Sequence, residues 1–274
     1  VPTMSTDAPA TSQEAFVQAF MMIIVSELGD KTFLIAAILA MRHPRLTVFA
    51  GAFGSLLIMS VLSAALGHLL PTLVPKRWTQ LAAAVLFFVF AAKMVREGAA
   101  MPAGSAHMEE EMKEAQEEIE GAEAAADVDA IPLASAEAGE AFPHPQAHVL
   151  PRASGPAERA LEGVRNLLSL VLGPVFVQAF MLTFLGEWGD RSQIATIALA
   201  AAHNVYLVTF GTIIGHSCCT ALAVIAGRYV ASKVSAKHVT FGGALLFLLF
   251  GFYYAYAASQ PTPVDIIEDH MGSA

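Results

Sequence analysis

Two short charged stretches lie inside otherwise apolar runs of the sequence, SELGDKTF at residues 26–33 and GEWGDRSQ at residues 186–193. Their ionisable residues are Glu27, Asp30, Lys31, Glu187, Asp190 and Arg191. An ionised side chain in the middle of a membrane-spanning helix costs roughly 2.5–3.5 kcal/mol on insertion scales, so such charges need compensation from each other, from water or from a bound ion. We therefore interpret the two stretches as parts of a functional site.

Carboxylates with neighbouring hydroxyls are hard oxygen ligands, which suit Ca²⁺, Mn²⁺ or Mg²⁺ better than a metal that prefers thiolate or imidazole. We predict that the four acids bind the metal and carry protons, that the two bases fix carboxylate geometry, and that hydroxyls and glycines support the site. The metal ligands are Glu27, Asp30, Glu187 and Asp190, and the supporting residues are Lys31, Thr32, Arg191, Ser192, Gly29 and Gly189. Four acids and two bases leave a formal charge of −2, which one divalent cation or two protons would cancel. This balance favours cation/proton exchange.

Residues three and four apart share one face of a helix, so a regular helix would point Glu27, Asp30 and Lys31 the same way. Gly29 makes this stretch able to unwind, and Gly189 does the same for the second stretch.

The composition indicates a polytopic membrane protein in a lipid bilayer. Hydrophobic residues make up 55% of the 274 residues, charged residues only 14%, and mean hydropathy is +0.57, whereas soluble domains carry about 25% charge. The formal net charge of −9 reflects an acidic central segment, and no basic stripe suggests a nucleic-acid partner. We expect a transporter rather than an enzyme, with no prosthetic group, and the sequence leaves a homo-oligomer open.

Apolar runs predict six membrane-spanning helices and no strands, which makes the fold class all-α. The runs are Phe16–Met41, Leu46–Leu70, Trp78–Val95, Leu167–Ala202, Tyr206–Val230 and Val239–Ala258. Gly173 and Pro174 mark the expected true start of the fourth helix. Residues 98–160 interrupt the pattern, and we expect an acidic, solvated linker there.

The two halves of the chain are related. FVQAFM at 16–21 recurs at 176–181, and the same offset of 160 residues superimposes the two charged stretches. Because each copy has three spans, the second must enter the membrane in the opposite direction, so the sequence predicts two inverted-topology repeats of three helices.

The predicted organisation has five parts. They are an N-terminal tail (1–14), repeat 1 (15–97), an acidic cytoplasmic linker (98–160), repeat 2 (161–258) and a C-terminal tail (259–274). Lys76 and Arg77 are the basic residues of one predicted membrane face, and the opposite face carries 11 of the 15 in the chain. The positive-inside rule puts the second face in the cytoplasm. We expect an integral membrane protein of the bacterial inner membrane, with both termini outside.

The two stretches E-L-G-D-K-T (27–32) and E-W-G-D-R-S (187–192) resemble a paired family signature, E-x-G-D-[KR]-[ST]. The family is that of the cation exchangers that include transmembrane protein 165 of the Golgi, chloroplast manganese transporters and bacterial manganese exporters. The resemblance covers residues 15–97 and 167–258. It implies Ca²⁺/H⁺ or Mn²⁺/H⁺ exchange, with the cation site at Glu27, Asp30, Lys31, Thr32, Glu187, Asp190, Arg191 and Ser192.

Three other interpretations of the charged stretches stay open. Structural ion pairs could hold the helices together, a passive channel would conduct divalent cations without protons, and an intramembrane aspartyl protease could use Asp30 and Asp190 as a dyad sharing one proton. The protease pattern has glycine where this chain has Glu27 and Glu187. The oxygen ligands admit Mn²⁺ and Ca²⁺ alike.

Several polar residues inside predicted spans are weaker candidates. Gln18 and Gln178 are repeat-related, and they join the metal site if the helix is broken or bond across helices otherwise. His216 could relay protons or bind a soft metal, but its repeat partner is Leu56. We therefore interpret His216 as structural or pore-lining.

Overall fold

The structure is a computed structural model that describes residues 8–101, 106–129, 172–233 and 235–260. These residues form nine helices and no strand. The helices are α1 (Ala8–Glu27), α2 (Lys31–Arg42), α3 (Arg45–Leu73), α4 (Lys76–Ala100), α5 (Ala106–Asp129), α6 (Pro174–Gly186), α7 (Arg191–Ala202), α8 (Val205–Lys233) and α9 (Ala236–Ser259). The all-α prediction is confirmed for this part of the chain. The beginning of the N-terminal tail, residues 130–171 and the C-terminal tail from 261 onwards lie outside it.

Four of the described helices are long and apolar enough to cross a membrane: α3, α4 from Arg77, α8 up to Gly227, and α9. The protein is therefore an integral membrane protein. The other two predicted spans are each divided into half-helices. The first breaks between α1 and α2, and the second between α6 and α7, in both cases at the charged stretch. Helix α6 begins at Pro174 after Gly173, as the sequence predicts.

Helix boundaries repeat along the chain. Adding 160 to the limits of α2, α3 and α4 gives both limits of α7 and α8 and the first residue of α9. Each half thus contains two half-helices followed by two long helices. The two long middle helices cross between halves: α3 packs along α6 and α7, while α8 packs along α1 and α2. Helices α4 and α9 pack extensively against each other, with Phe87 and Phe247 stacked between them.

Two glycines allow a close approach at these helix contacts. Gly51 of α3 lies against α6, where an added Cβ would stand 2.5 Å from the carbonyl oxygen of Phe176. Gly211 of α8 lies against α1, where an added Cβ would stand 2.6 Å from the carbonyl oxygen of Phe16. The two contacts are related by the 160-residue offset. Small residues at such crossings let helix backbones approach closely in a membrane.

The acidic helix α5 is docked on the membrane helices, which differs from the solvated linker expected from the sequence. It packs on α2 and buries Ala115 and Ile119 completely in an apolar cluster with residues such as Phe33 and Leu34. Lys31 Nζ lies 2.7 Å from Glu118 Oε2 at one end of this contact. Acidic composition favours a solvated helix, but Ala115 and Ile119, four residues apart, lie on one buried face, and Met112 and Ala122 pack against the same cluster.

The glycine contacts predict strong sensitivity to one added methyl group. Gly51→Ala and Gly211→Ala should each lower the thermal unfolding midpoint in detergent, because overpacking costs about 1–3 kcal/mol. Gly242→Ala in α9 is the matched control, since nothing lies within 4 Å of its added Cβ. If the first two variants melted like the control, the close helix contacts would not exist.

Helix α5 should be held mainly by its apolar face. Burial of an isoleucine contributes about 1.5–3 kcal/mol, whereas an exposed ion pair contributes about 0–1 kcal/mol. Ile119→Asp should therefore release α5 and accelerate amide hydrogen exchange across 106–129. Gln116→Asp adds the same charge on the exposed face and should leave exchange slow. Equal exchange in the two variants would contradict the docking.

Candidate metal-ion site

Two helix breaks position the acidic residues. Helix α1 ends at Glu27 and α2 begins after Asp30, while α6 ends at Gly186 and α7 begins after Asp190. Within the breaks Gly29 has φ 82° and Gly189 has φ 81°. A side chain strains this left-handed conformation, so glycine is required there. Because the helix is broken, Glu27, Asp30 and Lys31 do not lie on one continuous helix face, as they would in a regular helix.

The two aspartates occupy equivalent positions at helix starts. Asp30 and Asp190 are the N-cap residues of α2 and α7, with extended backbones. Asp190 Oδ2 accepts a hydrogen bond of 3.2 Å from the Ser192 backbone N–H. The free N–H groups and the positive end of a helix dipole favour negative charge at such a position. The breaks thus stabilise carboxylates where a continuous helix would not.

Three of the four predicted carboxylates converge. One ligand oxygen each from Glu27, Glu187 and Asp190 lies within 4.8 Å of the others. Two oxygens bound to one ion at 2.3–2.6 Å are at most about 5 Å apart, so these three can share a cation. Glu27 is 4% exposed and Glu187 only 1% exposed. Asp30 lies at the edge of the group with its side chain 29% exposed.

One hydroxyl predicted to support the site links the two halves. Thr32 Oγ1 donates a hydrogen bond to Glu187 Oε1, so the hydroxyl of the first motif holds the glutamate of the second. The hydroxyl-bearing residue of the second motif, Ser192, lines a small cavity together with Glu187 and His216. Glu27 Oε1 and Glu187 Oε2 are buried and have no hydrogen-bond partner among the described residues. An uncompensated buried charge costs several kcal/mol, so the two ionised glutamates are destabilised as long as these oxygens lack a partner. The two oxygens are therefore available as ligands.

The two basic residues have different surroundings. Arg191 lies among carboxylates: its guanidinium is 4.0 Å from Asp30 Oδ1, 3.9 Å from Asp190 Oδ1 and 3.4 Å from Glu97 Oε2. Lys31 instead points to Glu118 of α5, with its side chain 41% exposed. The prediction that both bases contact the motif carboxylates holds in geometry for Arg191 and not for Lys31. The helix break causes this, because it turns Lys31 away from Glu27.

The two glutamines have partners outside the carboxylate group. Gln18 is buried and accepts a hydrogen bond of 3.3 Å from the Tyr254 hydroxyl of α9. Gln178 donates one of 3.4 Å to Glu123 of α5. Both contacts cross between helices, which is the second of the two alternatives derived from the sequence.

His216 lies closer to the carboxylates than the sequence indicated. Its Nδ1 is 3.9 Å from Glu27 Oε1, and its side chain is 6% exposed. Sequence reasoning discounted it because its repeat partner is Leu56. That argument assumes a symmetric site, whereas α8 contributes a nitrogen on one side only.

Glu97 and Glu118, the partners of the two bases, were missed. Both lie outside the repeated motifs, Glu97 at the end of α4 and Glu118 in the acidic segment. The one signal for Glu97 was charge near the edge of a predicted span, which is common at any membrane surface. Glu118 was one of many acids in the central segment. Only the fold brings them to Arg191 and Lys31.

A cavity of about 420 Å³, here called the vestibule, reaches Asp30 and Arg191. Its charged lining comprises Asp30, Lys31, Glu97, Glu111 and Arg191, and it lies between the end of α4, helix α5 and the start of α9. A separate cavity of about 20 Å³ adjoins Glu27. That volume admits about one water-sized sphere.

Comparison with known proteins agrees with this geometry. The family model described as "Divalent cation/proton antiporter GDT1" matches the chain twice, over residues 15–102 and 175–262. The two matches are offset by the same 160 residues as the helix boundaries. Both matches end slightly beyond the predicted repeats, the second begins later than the predicted start at residue 161, and the central segment is unmatched.

Curated relatives cover most of the chain. "GDT1-like protein C17G8.08c" of Schizosaccharomyces pombe is 42% identical over 235 residues, which is 86% of this chain and 79% of the relative. "Divalent cation/proton antiporter GDT1" of Saccharomyces cerevisiae is 40% identical over 245 residues, 89% of this chain and 84% of the relative. "GDT1-like protein 5" of Arabidopsis thaliana is 35% identical over 92% of this chain and 97% of the relative.

No solved structure matches the chain. These three relatives are eukaryotic, so they lend no support to the expected bacterial inner membrane. The family is one of transporters rather than enzymes, which excludes the protease interpretation. Since the family model matches more than half of the residues and relatives are about 40% identical over most of the chain, the chain belongs to the GDT1 family of divalent cation/proton antiporters.

Proposed function

We propose that the protein exchanges a divalent cation, Mn²⁺ or Ca²⁺, for protons by secondary active transport. Glu27, Glu187 and Asp190 would bind the cation, and Asp30 would pass it between the vestibule and the site. The observation that carries this proposal is the pair of buried glutamate oxygens, Glu27 Oε1 and Glu187 Oε2, without a partner in the described chain. The yeast relative named as a divalent cation/proton antiporter supports it independently.

The charge of the buried pair explains why transport would be an exchange. Glu27 and Glu187 together carry a formal charge of −2 when ionised. One divalent cation or two protons would neutralise them, whereas the empty ionised pair would leave charge uncompensated within the membrane. Lys31 and Arg191 form no ion pair with these two glutamates among the described residues: Lys31 lies beside Glu118, and Arg191 lies among Asp30, Asp190 and Glu97. The carrier should therefore change its access loaded with either metal or protons, and seldom empty.

The repeated helices support alternating access. Two copies of three spans, with half-helix ends meeting at one carboxylate group, are typical of inverted-repeat transporters with a site near the membrane midplane. We propose that α1–α4 and α6–α9 form these two inverted copies. The vestibule reaches Asp30 at the edge of the carboxylate group, so under this proposal the structure would represent one of the two access states.

The vestibule side would be the cytoplasm. It opens between the end of α4, helix α5 and the start of α9. This is the face that carries most basic residues of the chain, among them Lys93, Arg96, Lys113 and Lys237. Under the positive-inside rule both termini would then lie on the opposite face.

A proteoliposome assay tests exchange directly. The purified chain is reconstituted, a pH gradient is imposed, and uptake of Mn²⁺ and of Ca²⁺ is followed with a metal-sensitive dye. We expect the proton gradient to drive at least one of the two ions against its own gradient. Metal movement that only ever followed the metal gradient would identify a passive channel and overturn the proposal.

The buried glutamates should be essential in the same assay. Glu27→Gln and Glu187→Gln each remove an ionisable ligand oxygen at almost constant size, so we expect exchange to fall by about tenfold or more, equivalent to about 1.4 kcal/mol. Glu117→Gln is the matched control because the Glu117 side chain is 66% exposed on α5. Normal exchange by either site variant would show that this glutamate is not a required ligand.

A further inference from the structure

The buried face of α8 presents a nitrogen atom to the carboxylates. His216 Nδ1 and Glu27 Oε1 lie 3.9 Å apart, and both atoms are buried without a hydrogen-bond partner among the described residues. The repeat partner of His216 is Leu56, so the other half of the protein offers no such atom at the equivalent position. Two orphan polar atoms that face each other in a membrane interior need a common partner.

We infer that His216 is a ligand of the transported cation and that its nitrogen makes the site prefer Mn²⁺ to Ca²⁺. This inference rests on the proposed function, and it names the ion that the carboxylates alone do not select.

The separation of the two atoms suits one shared ion. Ligand atoms about 2.0–2.2 Å from the same metal lie about 3 Å apart when adjacent in an octahedral site and a little over 4 Å apart when opposite. The observed 3.9 Å falls within that interval. It is too long for a direct hydrogen bond between the two groups. A cation between His216 and Glu27 would satisfy both atoms, with Glu27 as the residue shared with the group of three acids that lie within 4.8 Å of one another.

Ligand chemistry gives the direction of the preference. Ca²⁺ is held in proteins by oxygen ligands, so a nitrogen adds little to its binding. Affinity for transition-metal ions rises when imidazole joins the ligands, and Mn²⁺ is such an ion although it also accepts carboxylates. The imidazole should thus leave the affinity for Ca²⁺ close to that of the oxygen ligands alone and raise the affinity for Mn²⁺.

A structural role for His216 makes a different prediction. If the imidazole only filled space or oriented Glu27, its loss would weaken Mn²⁺ and Ca²⁺ binding by the same factor. The ratio of the two dissociation constants therefore separates a ligand from a positioning residue, whatever happens to overall transport.

The test measures Kd for Mn²⁺ and for Ca²⁺ on the purified full chain. His216→Leu installs the residue found at the repeat-related position, and we expect Kd for Mn²⁺ to rise about tenfold or more while Kd for Ca²⁺ stays within about threefold. Thr212→Val, one turn away on α8, is the matched control because the Thr212 hydroxyl bonds to Val208 O at 2.8 Å within its own helix. The control should leave the Mn²⁺/Ca²⁺ ratio unchanged.

A spectroscopic measurement needs no variant at all. Pulsed electron paramagnetic resonance of Mn²⁺ bound to the wild-type chain should show coupling to a directly bound nitrogen, and histidine labelled with ¹⁵N should shift that signal. Absence of nitrogen coupling, or equal loss of both ions in His216→Leu, would overturn the inference. Failure of the wild-type chain to exchange protons for either ion would instead contradict the proposed function, since Mn²⁺ binding through His216 could still be observed.

Discussion

The structure depends on the cost of placing two ionisable glutamates inside a membrane protein. Glu27 and Glu187 are almost fully buried, and their oxygens cannot all be satisfied by the surrounding helices. The helix breaks at Gly29 and Gly189 are the local response, because they expose helix N-termini that favour negative charge next to the glutamates. The glutamate oxygens that remain without a partner among the described residues can bind a cation or protons. The unpaired buried charge would only destabilise a structural protein, whereas in a transporter it favours binding of the ion.

The site combines symmetry with two departures from it. The helix breaks and the glycine crossings repeat at one offset of 160 residues, which places equivalent groups on both sides of the proposed cation site. Glu97 and His216 have no counterpart, since the equivalent positions are Ala257 and Leu56. Symmetry suits a site that must be reached alternately from two sides. The unpaired residues can differ in role, Glu97 drawing Arg191 towards the vestibule and His216 distinguishing one ion from another.

Much of this could be predicted from the sequence because membrane constraints are strong. Long apolar runs indicate where helices lie, and charges inside them indicate a candidate site. The four acids and both hydroxyls were proposed on that basis, and the structure brings Glu27, Glu187 and Asp190 within 4.8 Å of one another. The rest depended on contacts between segments distant in sequence. Lys31 was placed with the acids by helix periodicity, and only the broken helix shows it turned to Glu118. The docking of α5 rests on the small face formed by Ala115 and Ile119, which an acidic composition conceals.

The most direct test of the account is the number of protons released when a divalent cation binds. In weakly buffered solution, Mn²⁺ or Ca²⁺ is titrated into the protonated, purified chain, and released protons are followed with a pH indicator. Because metal ligation requires deprotonated carboxylates, we predict release of about two protons per cation in the wild-type chain, and close to none in a Glu27→Gln, Glu187→Gln double variant. Cation binding without proton release, or release that persists in the double variant, would contradict the claim that these two buried glutamates exchange protons for the ion.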